Sequence, residues 1–79
     1  MDALEAAETV LRDAGGGPLH WTVLQDRALR AGFLDPFADP AVRRTFLAAL
    51  ARGVRDGRLV KAETGTYALP TEGGASAGT

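Results

Sequence analysis

Glycine closes three successive amphipathic runs, at 15–17, at 32 and at 57, and this punctuation limits what the chain can fold into more than any other feature. Glycine readily takes the left-handed conformation that ends a helix, so each run reads as one helix of bounded length. The first helix is expected over 3–14. Asp2 is placed to cap it, and Glu5 completes a capping box three residues on. Leu4, Ala7, Leu11 and Ala14 fall on one face, with Val10 beside them. The stretch "PLHW" at 18–21 is short and extended, because Pro18 cannot sit inside a helix and disfavours helix at Gly17. The second helix is expected over 23–31, with Thr22 as cap and Gln25 reaching back to it. Leu24, Ala28 and Ala31 form its buried stripe, and Leu29 adds to it.

Two Asp-Pro pairs follow in "FLDPFADP" at 33–40. Each joins a capping residue to the proline favoured at the first helical position. Asp35-Pro36 predicts an abortive turn, and Asp39-Pro40 predicts the start of a third helix over 40–56. Val42, Phe46, Ala49, Leu50 and Gly53 share its inner face, widened by Leu47 and Val54. At 100° per residue, Arg44, Ala48, Ala51, Arg52 and Arg55 gather opposite. After Gly57, "RLVK" and "TYAL" read as strands over 58–62 and 66–69, joined through "ETG". Leu59, Tyr67 and Leu69 should point inward, and Gly65 supplies the positive φ of a tight turn. The stretch 71–79 has no apolar residue larger than Ala and is expected to be disordered.

The order is helix, short strand, helix, helix, two-stranded hairpin. The expected fold is mainly α with a small β-hairpin, a winged helix-turn-helix domain over 1–70. In that layout the second helix crosses a DNA backbone, the third enters the major groove and the hairpin is the wing. A chain of 79 residues holds one domain, and at this size it buries only about 60% of its unfolded surface.

Residues that resemble a known family occur along most of this span. They are "AAETVLRDAGGGPLHW", then "LQDRALRAGF" with Leu24, Arg27, Leu29 and Gly32, then "TFLAALARGV" with Thr45, Leu50, Arg52 and Val54, then "RLVKAETGTYAL". Over about 3–69 the chain resembles the HARE-HTH domain. That winged-helix family is found in chromatin regulators, in restriction endonucleases and at the N-terminus of the bacterial RNA polymerase delta subunit. The resemblance implies DNA binding, as in most members, or association with RNA polymerase, as in delta-like ones. Three positions depart from the family pattern. Glu63-Thr64 stand where a basic residue often precedes the wing glycine, Gly53 replaces a polar residue, and Pro40 lies two positions early.

Charge distribution bears on the choice. The net charge is −1, but Asp2, Glu5, Glu8 and Asp13 face only Arg12 in the first 17 residues. Between 43 and 61, Arg43, Arg44, Arg52, Arg55, Arg58 and Lys61 face only Asp56. A single-signed stripe on the expected recognition helix is suited to neutralising phosphates. The rival is that any exposed helix face is charged. Thr45 is a candidate phosphate donor, and Ala48 is small enough to touch a thymine methyl. Only the arginines are expected to make bidentate contacts to guanine. The chain has no Asn and Gln25 is its only Gln, so limited sequence preference is expected. Trp21 beside His20 reads either as a stacking pair for a base or as a partly buried hydrophobe.

The expected function is therefore a small DNA-binding protein, a regulator of transcription or DNA metabolism that contacts duplex DNA mainly through phosphates. The alternative is an interaction module that docks its acidic first helix on RNA polymerase or another DNA-processing enzyme. No enzyme activity and no cofactor are expected. There is no cysteine, one histidine and no Ser/His/Asp set. The acidic, amphipathic start lacks the basic flank and apolar run of a signal peptide, and no stretch approaches the ~18 apolar residues of a membrane span. A cytoplasmic protein is expected.

Overall fold

A computed structural model of the chain describes residues 1–70. The expected disordered tail, 71–79, lies outside the described residues. Six elements follow one another: α1 (Ala3–Asp13), β1 (Leu19–His20), α2 (Trp21–Arg30), α3 (Val42–Arg55), β2 (Val60–Glu63) and β3 (Thr66–Ala68). This is the winged helix-turn-helix arrangement that the sequence predicts.

Local chemistry explains each boundary. The Asp2 side chain accepts from the Leu4 N–H, and Glu5 returns the bond to the Asp2 N–H, so the capping box of α1 forms. For α2 the cap is different from the one expected. His20 is the N-cap, its Nδ1 accepting from the Thr22 N–H, so α2 begins at Trp21 and Thr22 sits inside its first turn. Gln25 does not reach back; its Oε1 is buried without a partner among the described residues. The third helix also starts later than expected. Asp39 and Pro40 form a turn instead, with the Ala41 N–H on Asp39 Oδ1 and the Val42 N–H on the Asp39 carbonyl. Asp35-Pro36 makes the expected single turn, closed by the Ala38 and Asp39 N–H groups on the Asp35 carbonyl.

At the far end of α3, Gly57 takes φ +78. Its N–H reaches the Val54 carbonyl, and the Arg58 N–H reaches that of Gly53 at 2.8 Å. This double closure satisfies two carbonyls that the helix leaves open and reverses the chain. The reversal drops Leu59 into the core before β2 begins.

The core sits among all three helices and the base of the hairpin. Its largest fully buried side chains are Leu4 and Leu11 from α1, Leu24 from α2, Phe46 and Leu50 from α3, and Leu59. Each contributes about 1.5–3 kcal/mol by leaving water. Ala31, expected in the buried stripe of α2, is exposed, and Val42 is only half-buried. The α2 helix has ended before Ala31, and Gly32 turns the chain away.

The sheet order is β1-β3-β2, antiparallel throughout. Leu19 pairs with Tyr67 and His20 with Thr66. Beyond the ladder, the Leu69 N–H donates to the Gly16 carbonyl and the Trp21 N–H to that of Gly65. The hairpin is thus stitched to the helical body at both of its ends. Among the described residues no helix is long and apolar enough to cross a membrane, and no three potential ligand side chains gather as a metal site.

Candidate nucleic-acid interface

The outward side of α3 follows from what the helix buries. With Phe46, Ala49, Leu50 and Gly53 packed inward, the helical period turns Arg44, Ala48, Ala51 and Arg55 outward, and all four are exposed or half-exposed at the surface. One flank of this line carries Thr45 and Arg52, both exposed, on the side of the α1 N-terminus. The other flank carries Arg43 and Leu47, on the side of α2.

Arg43 lies against Trp21, its guanidinium carbon 5.3 Å from the ring centroid. At an exposed site such a contact contributes about 0.5–1 kcal/mol. Trp21 is half-buried, packs on the core, and its ring is tilted 33° to that of His20 at 5.9 Å. The sequence offered two readings of Trp21, a base-stacking pair or a partly buried hydrophobe. The burial expected of the second is found, and the ring's other partner is an arginine.

The acidic first helix reaches across to two of the predicted site residues. Arg58 donates through Nε and a terminal nitrogen to both oxygens of Glu8, at 2.9 and 2.6 Å. This bidentate pair raises the Arg58 guanidinium further above its ordinary value, chiefly by the hydrogen bond to Glu8. Arg52 approaches Asp2 at 3.9 Å, a looser pair. By contrast, Arg43, Arg44, Arg55 and Lys61 make no ion pair among the described residues. Lys61 lies exposed on β2, opposite Tyr67 of β3. The candidate residues therefore divide. Arg44, Ala48 and Arg55 share the outward side of α3, Arg43 lies on its α2 flank against Trp21, Thr45 and Arg52 sit at the opposite edge, Lys61 is on the wing, and Arg58 is turned to α1.

The first turn of α3 carries Arg43 and Arg44, no acidic residue and no side-chain cap. Cations at a helix N-terminus oppose the helix dipole by about 0.3–1 kcal/mol each. The arrangement weakens the helix slightly and concentrates positive potential there. Beside it, Pro40, Ala41, Arg43, Arg44, Leu47 and Ala48 line an open groove along the outer face of the helix.

Three contributors escaped the sequence reading: Trp21 as the seat of Arg43, Glu8 as the partner of Arg58, and His20 as a cap. The first two are pairings between distant parts of the chain, with no local signal. The third had one, since a side-chain acceptor directly before a helical run is a candidate cap.

The family profile of the HARE-HTH domain, the helix-turn-helix domain of ASXL proteins and restriction endonucleases, matches residues 1–71. Comparison with curated proteins and with solved structures gives no match.

Proposed function

This chain belongs to the HARE-HTH family of DNA-binding helix-turn-helix domains, and from that premise we propose that it grips duplex DNA mainly by its phosphates. In this reading α3 lies in the major groove, α2 crosses the backbone, and the β2–β3 hairpin is the wing. Contacts centre on Arg43, Arg44, Ala48 and Arg55. Thr45 donates its hydroxyl at one edge, and Lys61 approaches from the wing. Arg52 and Arg58 join only by leaving Asp2 and Glu8. Service as a cytoplasmic regulator of transcription or DNA metabolism is part of the same proposal.

One observation carries it. The outward line of α3 is cationic and without ion pairs among the described residues, on a helix that contains no acidic side chain. An ordinary solvated helix face mixes both signs, because pairs of opposite charge three or four residues apart support the helix. Here that support is absent, as α2 illustrates by contrast with its Asp26–Arg30 pair at 3.1 Å.

The rival reading, an interaction module docking α1 on RNA polymerase or another DNA-processing enzyme, draws on the acids of α1. Two of them, Asp2 and Glu8, already face arginines of the same chain. What α1 can offer a basic partner is reduced to Glu5 and Asp13.

The salt dependence of binding separates the two. Each phosphate neutralised adds about −0.9 to the slope of log K against log salt. Replacing Arg44 and Arg55 together by Ala is expected to flatten that slope by up to about two units and to weaken all duplexes alike. Unchanged binding in this variant, or no binding by the parent at ~50 mM salt, defeats the proposal.

A further inference from the structure

Building on the reading of α3 as the helix that enters the major groove, we infer that Arg43 reads guanine and that Trp21 is the residue that positions it. One observation sets Arg43 apart from the other arginines of the helix. Its guanidinium is seated on an aromatic ring, 5.3 Å from the centroid, whereas Arg52 leans toward Asp2. Like Arg44, Arg43 lines the open groove that Leu47 and Ala48 also line.

The seat is itself held in place. The Trp21 backbone N–H donates to the Gly65 carbonyl at 2.8 Å, which anchors the chain at the base of the ring. The Trp21 ring packs on the core and is tilted against the ring of His20. His20 in turn is fixed by its Nδ1, which lies 2.8 Å from Thr22 Oγ1 and accepts from the Thr22 N–H. A guanidinium held over such a ring gives up part of its rotamer freedom before any ligand arrives. The N–H edge of Arg43 makes no side-chain hydrogen bond among the described residues, unlike those of Arg30 and Arg58. No carboxylate takes that edge among the described residues.

That edge is a fork of donors spaced to match O6 and N7 of guanine in the major groove. Its position suits the task, since residues at the start of a recognition helix are the ones that reach base edges. A phosphate contact tolerates a swinging side chain. A bidentate base contact does not, and Arg43 is the arginine of α3 whose side chain is held against a fixed ring.

The experiment compares binding of a guanine-rich fluorescent duplex with the same duplex carrying 7-deazaguanine throughout, read by anisotropy across several salt concentrations. The modified base lacks the N7 acceptor and keeps both pairing and charge. The parent is expected to bind the modified duplex about five-fold or more weakly. Arg43→Ala should weaken both and abolish the difference. Trp21→Leu should abolish the difference while leaving the salt slope intact, and Trp21→Phe, which keeps an aromatic face, should preserve it.

Salt-dependent binding with equal affinity for the two duplexes overturns the inference and leaves the phosphate reading standing. Discrimination that survives Arg43→Ala overturns it as well, and discrimination that survives Trp21→Leu overturns the role of Trp21. Should Trp21→Leu fail to fold by circular dichroism, the exposed Arg43→Ala variant decides alone. A parent that binds neither duplex at ~50 mM salt removes this inference and the phosphate reading together.

Discussion

A Cβ added at Gly53 would stand 2.7 Å from Leu4 Cδ1 and 2.9 Å from Leu59 Cδ1. Both leucines are 1% exposed, so neither has free space to withdraw into. In an open helix the change from Gly to Ala gains about 1 kcal/mol. Here the close approach of α3 to α1 depends on the missing side chain. Gly53→Ala is therefore expected to lower stability by about 1–3 kcal/mol in chemical denaturation. A variant as stable as the parent would mean that the two leucines repack freely. The inward position of Gly53 was legible from the helical period, but its close contacts were not, because they involve residues far away in the chain. Caps divide the same way. Asp2 and Glu5 satisfy one another locally and were readable, whereas α2 starts two residues before the expected position. There β1 pairing with Thr66 of β3 holds His20 extended at the helix boundary, and that pairing is tertiary.

The wing and α2 behave as one coupled unit. Gly65 takes φ +76 in the hairpin turn, as the sequence predicts, and a Cβ there would lie 2.9 Å from His20 Nε2. Its carbonyl also accepts the Trp21 N–H. Gly65→Val would strain the turn and push on the ring that caps α2. The expected result is a loss of about 1–3 kcal/mol in thermal or chemical denaturation, with faster hydrogen exchange at the Trp21 amide. A normal Trp21 exchange rate in that variant would show the two elements to be independent. The elements themselves were readable where periodicity was strong, and α1 and the end of α3 fall within a residue of expectation. The start of α3 was not, because Asp39-Pro40 carries the signals of a helix start and of a turn alike, and the turn took it. Hairpin register was also out of reach. The ladder shifts between Lys61 and Glu63, and β2 begins at Val60 rather than 58, since the closure after α3 occupies Arg58 and Leu59.

Across the whole molecule the acidic start of the chain folds against its basic middle. The asymmetry was visible in the sequence. Which charges meet was not, since Glu8 and Arg58 are 50 residues apart. The consequence is that α1 both braces the fold and withdraws positive charge from the proposed DNA surface. Glu8 is only 16% exposed in its side chain, so its carboxylate is held where Arg58 can reach it from the turn after α3. Glu8→Gln keeps the shape and removes the charge. Stability should then fall, seen as a lower melting temperature, because the bidentate, charge-assisted pair is lost. Duplex binding should tighten at the same time. Arg58, released, adds at most one phosphate contact, which steepens the salt slope by up to about 0.9. Asp13→Asn is the control, an exposed acid with no ion pair among the described residues. It removes the same charge from α1 and releases no arginine, so its slope should match the parent's. If Glu8→Gln melts earlier yet keeps the parent's slope, Arg58 lies outside the DNA surface and the Glu8–Arg58 pair serves the fold alone.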